Sequence, residues 1–192
     1  HNYHDVYRMF PPIEKYRNDE GKHHLSWRVH ILPFVEQNQL YQQFKLDEPW
    51  DSPHNKELLA KMPDVFKSKS SDPAATAKNK DGYTTFVAPQ GEDTILGGKG
   101  KSRFQDCRDG TSNTIVVVEV KPEFAVPWTA PDDYAFDKEK PAAGLLIGED
   151  GKWLTAFADG SVRLLKQDNK PETILRLFDK SDGEIIELDE MP

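Results

Sequence analysis

The sequence holds a single cysteine, Cys107, which excludes an internal disulfide and any zinc site built on cysteine thiolates. It lacks an apolar run near the roughly 18 residues needed to span a bilayer. The longest continuous one, Ile115 to Val118, has the composition of a strand. There is no signal peptide, and the chain opens on His1 rather than methionine, so targeting information is expected upstream of residue 1. A surplus of base is also missing. The net charge is −8, and the lysines are scattered among more numerous acids, whereas duplex DNA or RNA needs a clustered basic face. The densest basic stretch, Lys67, Lys69, Lys78, Lys80, Lys99 and Lys101, reads as a solvated loop. No nucleic-acid partner is expected.

Catalytic signatures are absent as well. No Gly-x-Ser-x-Gly elbow or Cys-Gly-Ser-Cys-Trp string occurs, and Ser68-Lys69-Ser70 lies where no core residue would hold a precise site. Gly97-Gly98-Lys99-Gly100-Lys101 does not follow the P-loop order and reads as a linker. Thirty-three acids supply many accidental carboxylate pairs, and none stands out. His1 and His4 share a helix face and could chelate a metal with Asp5 or Glu20, but they read as residues of a continuing helix, and His23-His24 as a solvated pair. Two acidic loops, one with Asp132, Asp133, Asp137 and Glu139 and one with Asp106, Asp109 and Asn113, do not follow the EF-hand spacing and read as turns. The expectation is therefore no enzyme, no cofactor and no metal, with Cys107 a partly buried free thiol.

The 192 residues suit one domain spanning 1–192, large enough to bury roughly 70% of its unfolded surface without a staple. Apolar content of 36% against 30% charged residues points to a modest core with long polar loops. Tyr3, Val6, Tyr7 and Phe10 form a helical stripe that is in phase at the first residue and stops at Pro11-Pro12, so residues 1–12 read as the end of a longer N-terminal helix. Residues 13–24 read as a loop. Phe34, Val35, Leu40, Tyr41 and Phe44 have helical spacing, and Ser52-Pro53 starts a further helix that ends at Pro63. Val65 and Phe66 could begin a strand, and residues 67–81 are expected to form a mobile loop. Tyr83 to Val87 has strand composition, and Thr114 to Val120 reads as a central strand buried on both faces. Residues 122–141 read as a long ordered loop anchored by Trp128, Tyr134 and Phe136. Asp159-Gly160 between two apolar runs signals a hairpin, followed by a short helix with Ile174, Leu175, Leu177 and Phe178 and a last strand from Glu184 to Leu188. Helices and hairpin-linked strands are segregated, which defines an α+β chain with a mainly antiparallel sheet.

Several strings resemble a large prepilin-like family of unknown function, abundant in planctomycete-type bacteria and sometimes labelled solute-binding-like. They are His1-Asn2-Tyr3-His4-Asp5, Phe10-Pro11-Pro12, Ser26-Trp27-Arg28-Val29, Leu32-Pro33-Phe34-Val35-Glu36-Gln37, Leu40-Tyr41, the run from Leu46 to Asn55, Asp109 to Thr114 and Ala158 to Arg163. The resemblance implies a pilin-like fold, with an N-terminal helix, membrane-inserted at its start, packed on an antiparallel sheet. It implies an extracytoplasmic head, periplasmic or at the cell surface, with envelope or pilin-like subunits as partners. Many members carry His-x9-Asp-Gly. Here Asp159 and Gly160 are present, but Glu149 stands at the histidine position.

The aromatics supply the remaining candidates. Trp50 and Trp128 sit in Pro-rich connections, where an indole either pins a loop to the core or lines a binding surface. The reading is a non-catalytic, prepilin-like or pseudopilin-like envelope protein acting in assembly or surface interaction. The alternative is an extracytoplasmic module that binds a small molecule or glycan through Trp50 and Trp128.

Overall fold

The β-branched run forms the inner strand of an antiparallel sheet. The computed structural model describes residues 1–11, 24–96, 102–181 and 183. The loop 13–24 apart from His24, the Gly97 to Lys101 linker and the strand Glu184 to Leu188 lie outside the described residues. Six short helices are described, α1 (Asn2–Tyr7), α2 (Trp27–His30), α3 (Asn38–Tyr41), α4 (Pro53–Glu57), α5 (Pro73–Lys78) and α6 (Pro171–Phe178). The strands are β1 (Tyr83–Thr84), β2 (Phe86–Val87), β3 (Ile115–Glu119), β4 (Val126–Pro127), β5 (Lys152–Phe157) and β6 (Val162–Lys166). Four of them form a sheet in the order β2-β3-β5-β6, and β1 pairs with β4 in a two-stranded ribbon. Every pairing within the two sheets is antiparallel, and the fold is α+β.

Alternation on β3 sends side chains to two different cores, and on β5 it buries one face and leaves the other outward. On the inner face, Ile115, Val118, Trp153, Phe157 and Leu165 pack with Ile174, Leu177 and Phe178 of α6. The helix laid against the sheet is thus the late one. Helix α1 instead docks at the sheet's end, where the His1 ring nitrogen Nε2 lies 2.7 Å from the Ala158 carbonyl and the His1 and His4 rings pack on Phe104. Of its apolar stripe only Tyr3 is buried, and Val6 and Tyr7 are exposed. A second core gathers Leu25, Trp27, Val29 and Leu32 with Leu40, Phe44, Leu58, Met62, Phe66 and Trp128, and Val117 of β3 packs against it.

Several expected elements differ, for local reasons. Residues 67–81 are not an irregular loop. Asp72 accepts the Ala74 amide at 2.8 Å as an N-cap, Pro73 begins α5, and Ala75 is fully buried. Asn79 then clasps Ser68 through both its backbone N–H and its C=O, which closes the segment on itself. Val65 and Phe66 lie in a 3₁₀ turn rather than a strand, with Phe66 stacked on Trp128. The stripe from Phe34 to Phe44 is interrupted at Glu36, whose left-handed backbone (φ 61°) no helix can contain. The strand expected over Tyr83 to Val87 is split, because the Thr84 hydroxyl accepts the Phe86 amide at 3.0 Å and donates to the Phe66 carbonyl at 2.7 Å. In the 122–141 connection, the Tyr134 hydroxyl donates to the Pro141 carbonyl and accepts the Gly144 amide. A side chain at Gly144 would collide with that ring, 2.5 Å away.

Arg28 ties the parts together. It is fully buried, and its five N–H donors are all used. Nε donates to the Trp128 carbonyl, Nη1 to the Phe86 carbonyl and to Asp133, and Nη2 to the Ala130 and Asp132 carbonyls, at distances from 2.9 to 3.2 Å. Asp133 also accepts the Trp27 indole N–H and the Ala88 amide. Burial pushes the Asp133 carboxyl above its ordinary pKa, against the pull of the Arg28 guanidinium and these donors. Removing one member of such a pair leaves the other buried and uncompensated. Arg28→Ala and Asp133→Ala are each expected to lower the free energy of urea unfolding by about 3–5 kcal/mol, with the double variant losing less than the sum of the two.

Candidate functional site

The outer face of the four-stranded sheet is the most open apolar surface described. Lys152, Leu154 and Ala156 point outward from β5, because the alternate positions Trp153, Thr155 and Phe157 are buried inward. The register sets Leu154 opposite Leu164 and Ala156 opposite Val162 on β6, and Phe86 opposite Glu119 on β2 and β3. Val162 is 65% exposed and Leu164 51%, unusual values for apolar residues in a sheet. The segment from Asp64 to Ser71 forms one wall, and Leu146 and Gly148 contribute to another. Together they enclose a groove of about 560 Å³, within the ordinary range for small-molecule sites.

One polar group is sunk into this apolar floor. Glu119 ends β3, lines the groove and is 7% exposed. Its Oε1 accepts the Ser68 hydroxyl at 2.5 Å and the Thr85 hydroxyl at 3.2 Å. Its Oε2 has no hydrogen-bond partner among the described residues. Three lysines line the groove as well. Lys67 is held by Asp64 at 2.6 Å, and Lys152 lies 3.9 Å from Asp150. Lys69, exposed, forms no ion pair among the described residues. The site can therefore accept apolar surface, one donor at Glu119 and one anionic group at Lys69.

The residues singled out from the sequence lie elsewhere. Trp128 is fully buried, donates to the Leu59 carbonyl at 3.0 Å and stacks on Phe66, so its indole is closed to any ligand. Of the two alternatives for this indole, its burial by the Leu59 carbonyl and the Phe44 and Phe66 rings matches the pin to the core and not the binding contact. Trp50 is half-buried against the same core, and its backbone N–H donates to the His24 carbonyl. Neither lines the groove.

Asp159 and Gly160 form the tip of the β5–β6 hairpin. Gly160 has φ 87°, its N–H bonds the Phe157 carbonyl, and the Phe157 N–H bonds the Ser161 carbonyl, a three-residue connection ending in the left-handed position. Asp159 accepts the Ser161 amide at 2.8 Å and lies 3.6 Å from Arg163. The Ser161 side chain first, and then its amide and Arg163, hold the Asp159 carboxyl below its ordinary pKa. The tip is anchored to the Asp109 to Thr114 turn by bonds from the Ala158 N–H to the Thr114 carbonyl and from the Asp159 N–H to the Thr111 carbonyl. Glu149 stands in an exposed turn before β5, and Asp159 follows its other end. The two ends of the His-x9-Asp-Gly pattern are thus separated by a full strand.

The histidines and acidic loops are also placed. Asp133 is taken up by Arg28, and Asp106 caps its own turn by accepting the Arg103 amide. Burial holds His4 below its ordinary pKa. Among the described residues no three His, Cys, Asp or Glu side chains converge as a metal site, and no helix is long and apolar enough to cross a membrane. Sequence reading missed Glu119 because its strand reads as a uniform apolar run ending in one acid. The available signal was Val162, Leu164 and Leu165, apolar at both parities of a strand that can bury only one.

The fold and groove describe an α+β protein with a ligand-sized concavity. Residues 1–151 match the family described as a protein of unknown function (DUF1559), and the chain belongs to that family. The match ends before β5, so Asp159 and Gly160 lie beyond it. No curated protein and no solved structure matches the chain.

Two outcomes follow from the site's surroundings. Burial pushes the Cys107 thiol up to about 11. Its alkylation by iodoacetamide at pH 8 is expected to run roughly 100-fold slower than that of an exposed cysteine, reaching the ordinary rate in denaturant. Gly160→Ala, which forces a side chain into the left-handed region, should lower stability by about 1–2 kcal/mol in urea titrations.

Proposed function

We propose that this chain is a non-catalytic, extracytoplasmic protein of the cell envelope, of the prepilin-like kind, acting by assembly or surface interaction. The observation that carries the reading is the uncovered β6 side of the outer sheet face. Val65, Val162 and Leu164 are each more than half exposed, and β6 beside them has no strand paired to its outer edge among the described residues. Exposed apolar residues next to an open strand edge form a surface to which other chains add. Membership of the family and the prepilin-like strings support the setting. A second reading, an envelope module that binds a small molecule, is favoured by one observation, Glu119 on the groove floor, mostly buried and engaged by protein donors through only one of its two oxygens.

A photo-crosslinking residue placed at Leu164 in the native host tests the first reading. Adducts to envelope proteins or to a second copy are expected from position 164, and none from Phe124, an exposed residue away from this face. Adducts of equal yield from both positions, or none from either, would contradict it. Fractionation of the same cells should place the protein in the envelope, and a soluble cytoplasmic pool would count against the setting.

A further inference from the structure

We infer that the outer-face groove is a site for a small apolar zwitterion, such as a free apolar amino acid or a short apolar peptide with free ends. The inference rests on the small-molecule reading of the groove and not on assembly. Three features converge on it. The floor and sides offer Phe86, Leu146, Leu154 and Leu164, and the volume of about 560 Å³ suits a ligand of one to three residues. Glu119 as a residue is more than nine-tenths buried, and Ser68 and Thr85 bind only its Oε1. The remaining oxygen has no protein donor and stays open to water, and a ligand ammonium supplies both a hydrogen bond and the opposite charge. The third feature is Lys69, which feels the Asp64 carboxylate at longer range but closes no ion pair among the described residues, while Lys67 and Lys152 lie within 4 Å of Asp64 and Asp150.

Charge selects among ligands. A bare cation would satisfy Glu119 but bring no anionic group to Lys69, the groove lysine outside the Lys67–Asp64 and Lys152–Asp150 pairs. A bare anion would meet Lys69 but face the Glu119 carboxylate and bring it no counter-charge. A purely apolar molecule would satisfy neither group. Only a ligand with an ammonium, a carboxylate and an apolar body meets all three, with the ammonium down on β3 and the carboxylate toward the Asp64 to Ser71 wall.

Titration calorimetry of the whole chain with L-phenylalanine, L-phenylalaninamide and N-acetyl-L-phenylalanine tests this. Saturable binding of phenylalanine is expected, at least about tenfold tighter than either capped analogue. Glu119→Gln keeps an acceptor for Ser68 and Thr85 but loses the charge. It should weaken phenylalanine by at least about tenfold and leave the N-acetyl form unchanged. Lys69→Ala alters only an exposed side chain, so it reports even if Glu119→Gln unfolds. It should weaken phenylalanine severalfold and leave phenylalaninamide unaffected. No saturable phenylalanine binding below about 10 mM overturns the inference, as does equal affinity for all three compounds or binding unchanged in Lys69→Ala. Position-164 crosslinks that persist alongside such a failure would leave assembly standing and remove only the amino-acid site.

Discussion

The buried Arg28 guanidinium is the contact on which the arrangement depends. Its five donors reach a carboxylate and four backbone carbonyls drawn from β2 and from the connection after β4. A guanidinium taken out of water is tolerable only when every donor is met, so the elements carrying those acceptors are held in one relative placement. Trp27 and Arg28 are adjacent on α2, and both converge on Asp133. A four-residue helix, too short to be stable alone, is in this way bound to the sheet's β2 edge. The second core then has a fixed position relative to the first, with Val117 of β3 packing against it.

The groove is a consequence of that placement. Phe66 stacks on Trp128, whose carbonyl Arg28 holds, and the chain runs directly from Phe66 into the wall residues Lys67 to Ser71. Ser68 reaches from this wall to Glu119, so the same hydrogen bond that seats the wall also orients the carboxylate. Glu119 thereby differs from the protein's many surface acids. It is buried by a structural contact, engaged through one oxygen, and surrounded by apolar sheet residues with lysines at the rim. At the rim, Asp64 and Asp150 lie beside Lys67 and Lys152, so the lysines and acids lining the groove balance in number.

The opposite end of the sheet is built for rigidity. The hairpin tip, the Asp109 to Thr114 turn and His1 of the N-terminal segment meet through backbone carbonyls and amides. Asp159 spends its carboxylate on its own turn and on Arg163. An Asp-Gly pair that could be read as half of a chemical motif is here accounted for by turn geometry, and the Glu149 position stands beyond the far end of β5.

What the sequence determined by itself was the local chemistry. β-branched residues from Ile115 to Val118 made the inner strand, Asp159-Gly160 made the hairpin, and Ser52-Pro53 capped and began α4. The α+β class followed from the order of these elements. Only the tertiary structure decided that α6 rather than α1 covers the sheet, that residues 67–81 fold on an Asp72 cap and an Asn79 clasp, and that Trp128 is a buried anchor. The groove belongs to the same category. Its floor comes from four strands and its wall from a segment that precedes all of them, so no spacing along the chain could place Ser68 against Glu119, 51 residues away. Periodicity reports which residues leave water, but the partner each one meets is set by long-range packing, where the Arg28 and Asp133 network determined the outcome.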